Sequence, residues 1–157
     1  IQQKNIVKVM DVLNEKYGGD WYFEIETNGT IMPIPELDLR LNRYNISPKL
    51  STSGNSKILR DRPEVLGWYG EQSRRDFRRV CFKFVVERAS TEENLKEIDE
   101  LVQKYGIDKK SVYLMPEGTQ TQAMIEWSKE VAEICKVKGY SLSTRVQVIL
   151  YGSKRAV

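Results

Sequence analysis

A chain of 157 residues with 40% hydrophobic and 30% charged content is long enough for one domain with its own core, and its make-up is that of a globular protein rather than a disordered or fibrous one. The net charge of +3 is only mildly basic, and no apolar run approaches the ~18 residues that a membrane span needs, so neither a bilayer nor a polyanion is demanded as partner. Two cysteines, Cys81 and Cys135, and no histidine at all cannot by themselves build a zinc site or a cysteine-ligated iron–sulfur cluster, and both read as small buried hydrophobes of a reducing, cytoplasmic compartment.

Ile6, Val9, Met10, Leu13 and Tyr17 recur at intervals of three and four and predict a first helix, stopped by Gly18-Gly19. Trp21 to Glu26 is aromatic and β-branched, a strand that ends in the polar turn Thr27-Asn28-Gly29-Thr30, although Asn28-Gly29 is also an ordinary turn pair. Residues 31–42, with Pro33 and Pro35, look too irregular for a regular element. The next strand, 43–47, must stop at Pro48, which fixes its own φ, lacks a backbone donor and pushes Ser47 toward an extended conformation.

Ser47 and Lys49 are therefore the last side chains before a loop of Ser, Thr, Gly and Asn. A hydroxyl and an ammonium at a strand's carboxyl end suit a sugar hydroxyl or an anion, and ligands of parallel sheets sit outside those ends. A plain strand terminus with a solvated lysine fits the spacing equally well. Short helices are expected around 56–69, and Arg74, Arg75, Arg78 and Arg79 read as a solvated helix face, a phosphate-contacting patch or the guard of a strand edge.

Val80 to Glu87 is a strand whose near-continuous apolar character implies cover on both faces and a parallel sheet. Ser90-Thr91-Glu92-Glu93 has the capping-box form and opens a helix with Leu95, Ile98, Leu101, Val102 and Tyr105 on one face before Gly106. Ser111 to Met115 is the next strand, closed by Pro116-Glu117-Gly118. Thr119 or Thr121 is expected to cap a long helix ending near Gly139, and Arg145 to Tyr151 reads as a last strand with a basic tail, Lys154-Arg155. The alternation predicts βα units, right-handed crossovers and a mostly parallel sheet in a single domain, 1–157. A first helix with no strand before it, in a chain that begins at Ile1, is the expectation for a piece of a longer protein whose N-terminal βα units are missing.

The polar turns can be taken together: Glu26-Thr27-Asn28-Gly29-Thr30, Ser47-Pro48-Lys49-Leu50 followed by Ser53-Gly54-Asn55, Lys83-Phe84-Val85-Val86, Leu114-Met115-Pro116-Glu117-Gly118, and Leu150-Tyr151-Gly152-Ser153-Lys154-Arg155. In this order and spacing, across essentially the whole chain, they resemble the 7-carboxy-7-deazaguanine synthases, radical S-adenosylmethionine enzymes of queuosine (7-deazapurine) biosynthesis. The resemblance implies a partial (βα) barrel, a homodimer, and a lyase that converts 6-carboxy-5,6,7,8-tetrahydropterin to 7-carboxy-7-deazaguanine with S-adenosylmethionine, a 4Fe–4S cluster and magnesium. It also implies that Thr27, Asn28, Ser47 and Lys49 face the ribose and methionyl parts of the cosubstrate, with Leu114 and Met115 beside its adenine.

The departures carry implications of their own. The family's Cys-rich loop, its magnesium-binding Thr and its Gly-Gly-Glu-Pro turn belong upstream of the first helix and are not in this sequence, so the resemblance implies that the chain as written does not turn over. Some members place a His in the last strand where Gln147 stands, which makes Gln147 either a contact to the pterin substrate or a buried strand amide. The competing expectation is a nucleotide- or nucleic-acid-binding α/β module that uses Arg74, Arg75, Arg78, Arg79 and Lys83. No Walker or dinucleotide-type glycine loop is present to support a generic nucleotide site.

Overall fold

The structure, a computed structural model, describes residues 2–152. Helices α1 (Gln3–Tyr17), α2 (Pro35–Asp38), α3 (Lys57–Arg60), α4 (Pro63–Arg75), α5 (Thr91–Tyr105), α6 (Thr121–Lys138) and α7 (Val146–Tyr151) are interleaved with strands β1 (Glu24–Thr27), β2 (Arg43–Ile46), β3 (Val80–Val86), β4 (Val112–Pro116) and β5 (Ser141–Leu142). The five strands form one sheet in the order β1-β2-β3-β4-β5, and every pairing is parallel. Each strand lies beside its sequence neighbour and the order never reverses. Crossovers of one hand then carry the helices to one face, as in a stretch of (βα) barrel; a doubly wound sheet would show a switch point. The expectation of a partial barrel is borne out.

The side-chain period of two divides the sheet cleanly. Tyr44 and Ile46, Val80, Phe82, Phe84 and Val86, and Val112 and Leu114 all belong to one buried cluster, which they share with Leu66, Ile98, Val102, Trp127 and Val131 of the helices. The alternate residues Glu24, Glu26, Asn45, Cys81, Lys83, Tyr113 and Met115 occupy the other face. The unbroken look of β3 therefore does not mean cover on both sides: its even-numbered residues are fully buried, while Lys83 and Val85 are half-exposed on the second face. Two edges remain, β5 at one side and β1 at the other. Beside β1 an apolar groove runs between Ile6, Val9 and Leu13 of α1 and Phe23 and Ile25.

Close approach explains one glycine. A Cβ on Gly70 would lie 2.1 Å from the Tyr105 carbonyl oxygen, so α4 and α5 can meet at this distance only without a side chain. The contact is sealed by Ser73, whose hydroxyl donates to the Gly70 carbonyl at 2.7 Å and accepts the Asp108 N–H at 3.0 Å.

Four local expectations are corrected. Residues 31–42 contain the short helix α2, started by Pro35 at the position where a missing N–H costs nothing. Ser90 makes no capping bond; the Thr91 hydroxyl donates instead to the Glu87 and Arg88 carbonyls, and Asn94 accepts the Glu87 N–H at 2.9 Å. Neither Thr119 nor Thr121 caps α6: Gln120 precedes the helix, and the Thr121 hydroxyl donates to the Val148 carbonyl at 2.9 Å. Residues 145–151 hold a helix, not a last strand, because the sheet ends with the two-residue β5. Val146 and Leu150, four apart, face solvent while Val148 is buried, so contact with the body overrides the β-branched preference. The basic tail Lys154-Arg155 lies outside the described residues.

Candidate functional site

At the carboxyl ends of the strands, on the face away from the helices, lies a cleft of about 430 Å³. β1 brings Glu26 to it, β3 brings Lys83 and Val85, and β4 brings Met115. Ser47 and Lys49 enter from the end of β2, Ser143 and Arg145 from the segment between β5 and α7, and Gln147 from the first turn of α7. Register explains the convergence. Glu26 pairs with Asn45 and Asn45 with Cys81, so Ser47 and Lys83, each two residues further along, stand on the same face one step nearer the rim.

Pro48 is buried and ends the strand there, while the Ser47 N–H still donates to the Thr27 carbonyl at 2.7 Å. Val85 pairs with Met115, and together they form an apolar shelf beside the charges. Lys83 donates to Glu26 at 2.9 Å in an unequal pair, since the Lys83 side chain is 22% exposed and that of Glu26 is 79% exposed. Arg145 donates through Nη1 to the Gly118 carbonyl at 3.0 Å, which ties the start of α7 to the loop after β4.

Beneath the cleft the same face continues as a polar ladder. Asn45 donates to Glu24 at 2.7 Å, and Arg43 lies beside Cys81. Burial pushes the Cys81 thiol up, with the Arg43 guanidinium working against it, and burial likewise raises Cys135 on α6.

Four of the seven residues singled out from the sequence thus share one cleft: Ser47, Lys49, Met115 and Gln147. The other three stand elsewhere. Leu114 faces the helices and is fully buried in the core, with its carbonyl accepting the Ser143 N–H at 2.9 Å. Thr27 follows Ile25 onto the helix side, where it lines a separate cavity of about 170 Å³ with Ile6, Leu37 and Tyr44. Asn28 closes its own turn, its side-chain oxygen accepting from the Thr30 N–H at 3.2 Å and the Thr30 hydroxyl at 2.7 Å.

Sequence reasoning assigned no cleft role to Glu26, Val85, Ser143 or Arg145, and met Lys83 as part of the basic segment and of the Lys83-Phe84-Val85-Val86 motif without giving it a ligand. The signal for Lys83 was available, because it is the one charged interruption of an apolar strand and sits at the parity of the open face.

The arginines of that segment do not act together. Arg74 donates to the Tyr105 and Gly106 carbonyls, Arg75 pairs with Glu71 at 2.5 Å, and Arg79 donates to Asp38 at 2.7 Å. The guanidinium of Arg78 lies over the Phe77 ring, 5.6 Å from its centroid. All four precede Val80 at the amino end of the sheet, while Lys83 alone reaches the cleft at the other end.

A parallel sheet in sequence order, helices on one face and a polar cleft at the strands' carboxyl ends define a domain of the partial (βα)-barrel class, with its cleft at the place where such sheets receive ligands. No protein-family model matches the chain. Comparison with curated proteins narrows the class. The chain is 28% identical over 132 residues to the 7-carboxy-7-deazaguanine synthase of Pyrobaculum aerophilum, an alignment covering 84% of this chain and 53% of that protein. To the 7-carboxy-7-deazaguanine synthase of Rhodopirellula baltica it is 29% identical over 161 aligned positions, covering 97% of this chain and 58% of the relative. The resemblance carried by the strand-end motifs is thus shown, and the chain spans about half the length of the curated relatives it matches.

The cleft suits an adenosyl cosubstrate in its chemistry: hydroxyl and ammonium donors beside an apolar shelf. An iron–sulfur cluster or a metal ion does not fit in the same way. Cys81 is buried under the cleft and Cys135 is buried on α6, and no three His, Cys, Asp or Glu among the described residues are grouped to hold a metal. Among the described residues no helix is long and apolar enough to cross a membrane.

Proposed function

We propose that this chain is the carboxyl-terminal part of a 7-carboxy-7-deazaguanine synthase, and that its cleft forms the wall of the active site that binds S-adenosylmethionine and the pterin substrate. In the intact family S-adenosylmethionine supplies the radical chemistry that turns 6-carboxy-5,6,7,8-tetrahydropterin into 7-carboxy-7-deazaguanine. The residues of this chain bind and orient. The Ser47 hydroxyl and the Lys49 ammonium meet ribose hydroxyls and the methionyl carboxylate, the Val85–Met115 shelf lies under the adenine, and Gln147 donates and accepts at the edge of the substrate heterocycle. The two buried cysteines do not hold the cluster, and no electron-transfer step is assigned to these residues.

The observation that supports this reading is the meeting of Ser47, Lys49 and Met115, from the ends of two strands that are not neighbours in the sheet, in one cleft at the place where parallel sheets bind ligands. Equilibrium dialysis of the purified chain against S-adenosylmethionine tests it. Saturable binding is expected, weakened about ten-fold or more when Lys49→Met removes a charge-assisted bond and less by Ser47→Ala. Absence of binding, or binding indifferent to both substitutions, overturns the reading.

A further inference from the structure

The cations of the cleft outnumber its carboxylates. Lys49, Lys83 and Arg145 face it, against Glu26 alone. Lys49 is taken by the cosubstrate in the reading above, which leaves Lys83 and Arg145. Among the described residues the Arg145 guanidinium has one partner, the Gly118 carbonyl, so most of its planar donor fork is unused. Lys83 has Glu26, but the pairing is lopsided: the Lys83 side chain is 22% exposed in the cleft while that of Glu26 is 79% exposed to water. An ion pair with so exposed a partner is worth little, roughly 0–1 kcal/mol. A carboxylate that enters the cleft and sheds its water against Lys83 gains a stronger, charge-assisted bond, and Glu26 returns to solvent at small cost.

We infer that Lys83 and Arg145 are the anion-binding pair of this cleft, receiving the carboxylate of a flat heterocyclic acid, with Glu26 as the internal carboxylate that holds Lys83 in place and is displaced when the acid binds. The identity of that acid as a pterin rests on the proposed function; the pair itself rests on the cleft. Lys83 and Arg145 come from β3 and from the residue before α7, so they grip the acid from two sides of the sheet's open face.

Fluorescence titration of the full chain with pterin-6-carboxylate, with pterin lacking the carboxylate, and with 1-naphthoate tests the pair. The acid is expected to bind about ten-fold or more tighter than pterin, with Lys83→Met and Arg145→Gln each cutting the acid's affinity about ten-fold and leaving that of pterin unchanged. Glu26→Gln is expected to tighten acid binding several-fold, a gain that a misfolded variant cannot produce. If both pterins bind equally well and Lys83→Met changes neither, the pair is overturned and the pterin reading stands. If 1-naphthoate binds in a Lys83-dependent way while pterin-6-carboxylate does not bind, the pair stands and the pterin reading falls. Failure of all three probes to bind, or no gain from Glu26→Gln, overturns the pair.

Discussion

At the scale of single residues, Glu97 on α5 shows how the site is held from behind. Its carboxylate accepts the Ser51 N–H at 2.8 Å and the Ser51 hydroxyl at 2.7 Å and pairs with Arg60, whose guanidinium also donates to the Lys49 carbonyl at 3.4 Å. The loop that carries Lys49 is thus fastened to a helix of the core. Burial alone would raise the Glu97 pKa, but the Ser51 bonds and Arg60 outweigh it and hold the carboxyl below its ordinary range. A carboxylate depressed by folding contributes stability that is complete above its unfolded pKa and is lost as pH falls through the folded value. Glu97→Gln is therefore expected to cost about 1–3 kcal/mol at neutral pH, because Arg60, its side chain only 11% exposed, loses its counter-ion and keeps only carbonyl partners. The deficit should shrink in denaturation curves recorded progressively below the usual carboxylate range. An equal deficit at all pH values would remove the electrostatic account.

The same scale shows what could be read in advance. Ser47 and Lys49 were legible because Pro48 marks the strand's end without reference to anything distant. Thr27 was recognisable as a strand-end residue but not as one facing the helices. Its side follows from the alternation of Phe23 and Ile25 with Glu24 and Glu26, which sets Thr27 with the apolar residues only once the strand is seen to run through Thr27 rather than to end at Glu26.

At the scale of elements, strongly periodic segments declared themselves and contacts between them did not. The stripe Leu95, Ile98, Leu101, Val102 and Tyr105 defined α5 from sequence, as did the apolar run for β3. The helix at 146–151 was missed because Val146, Val148 and Leu150 alternate as a strand does, and the bonds from Thr121 to Val148 and from Arg145 to Gly118 that dock it join residues 27 apart. Gly70 belongs here too, since nothing local in α4 announces that Tyr105 must approach it. Gly70→Ala would ordinarily favour a helix by its intrinsic propensity. The approach of its Cβ to the Tyr105 carbonyl reverses the sign, and urea denaturation is expected to show a loss of about 1–3 kcal/mol from overpacking. A stabilised variant would mean that α4 and α5 can separate without penalty.

At the scale of the molecule, the order of the strands decides the rest. Because each strand follows its neighbour, one face is committed to helices and the other is left to carry Glu24, Asn45, Glu26 and Lys83. The polar groups of the sheet are thereby gathered on one face, with the cleft at its carboxyl end. The α/β alternation and parallel pairing were legible from sequence because they rest on local periodicity. That the second face of β3 lies open was signalled by Lys83 alone, its single charged residue in a seven-residue run. The separation of the arginine segment from the cleft is likewise a property of the whole sheet: Arg79 stands just before the amino end of β3, while Lys83, at the middle of that strand, faces the cleft.

Strand β1 pairs with β2 alone, and among the described residues its far edge meets no other strand. That edge is short, but it offers main-chain donors and acceptors next to a greasy ledge in which Val9, more than half exposed, continues Ile6 and Leu13. In colloidal terms the molecule carries a sticky seam along this edge. Sedimentation velocity of the isolated chain should therefore show mass growing with protein concentration, and a charge placed on the ledge by Val9→Lys should return it to a single slow boundary.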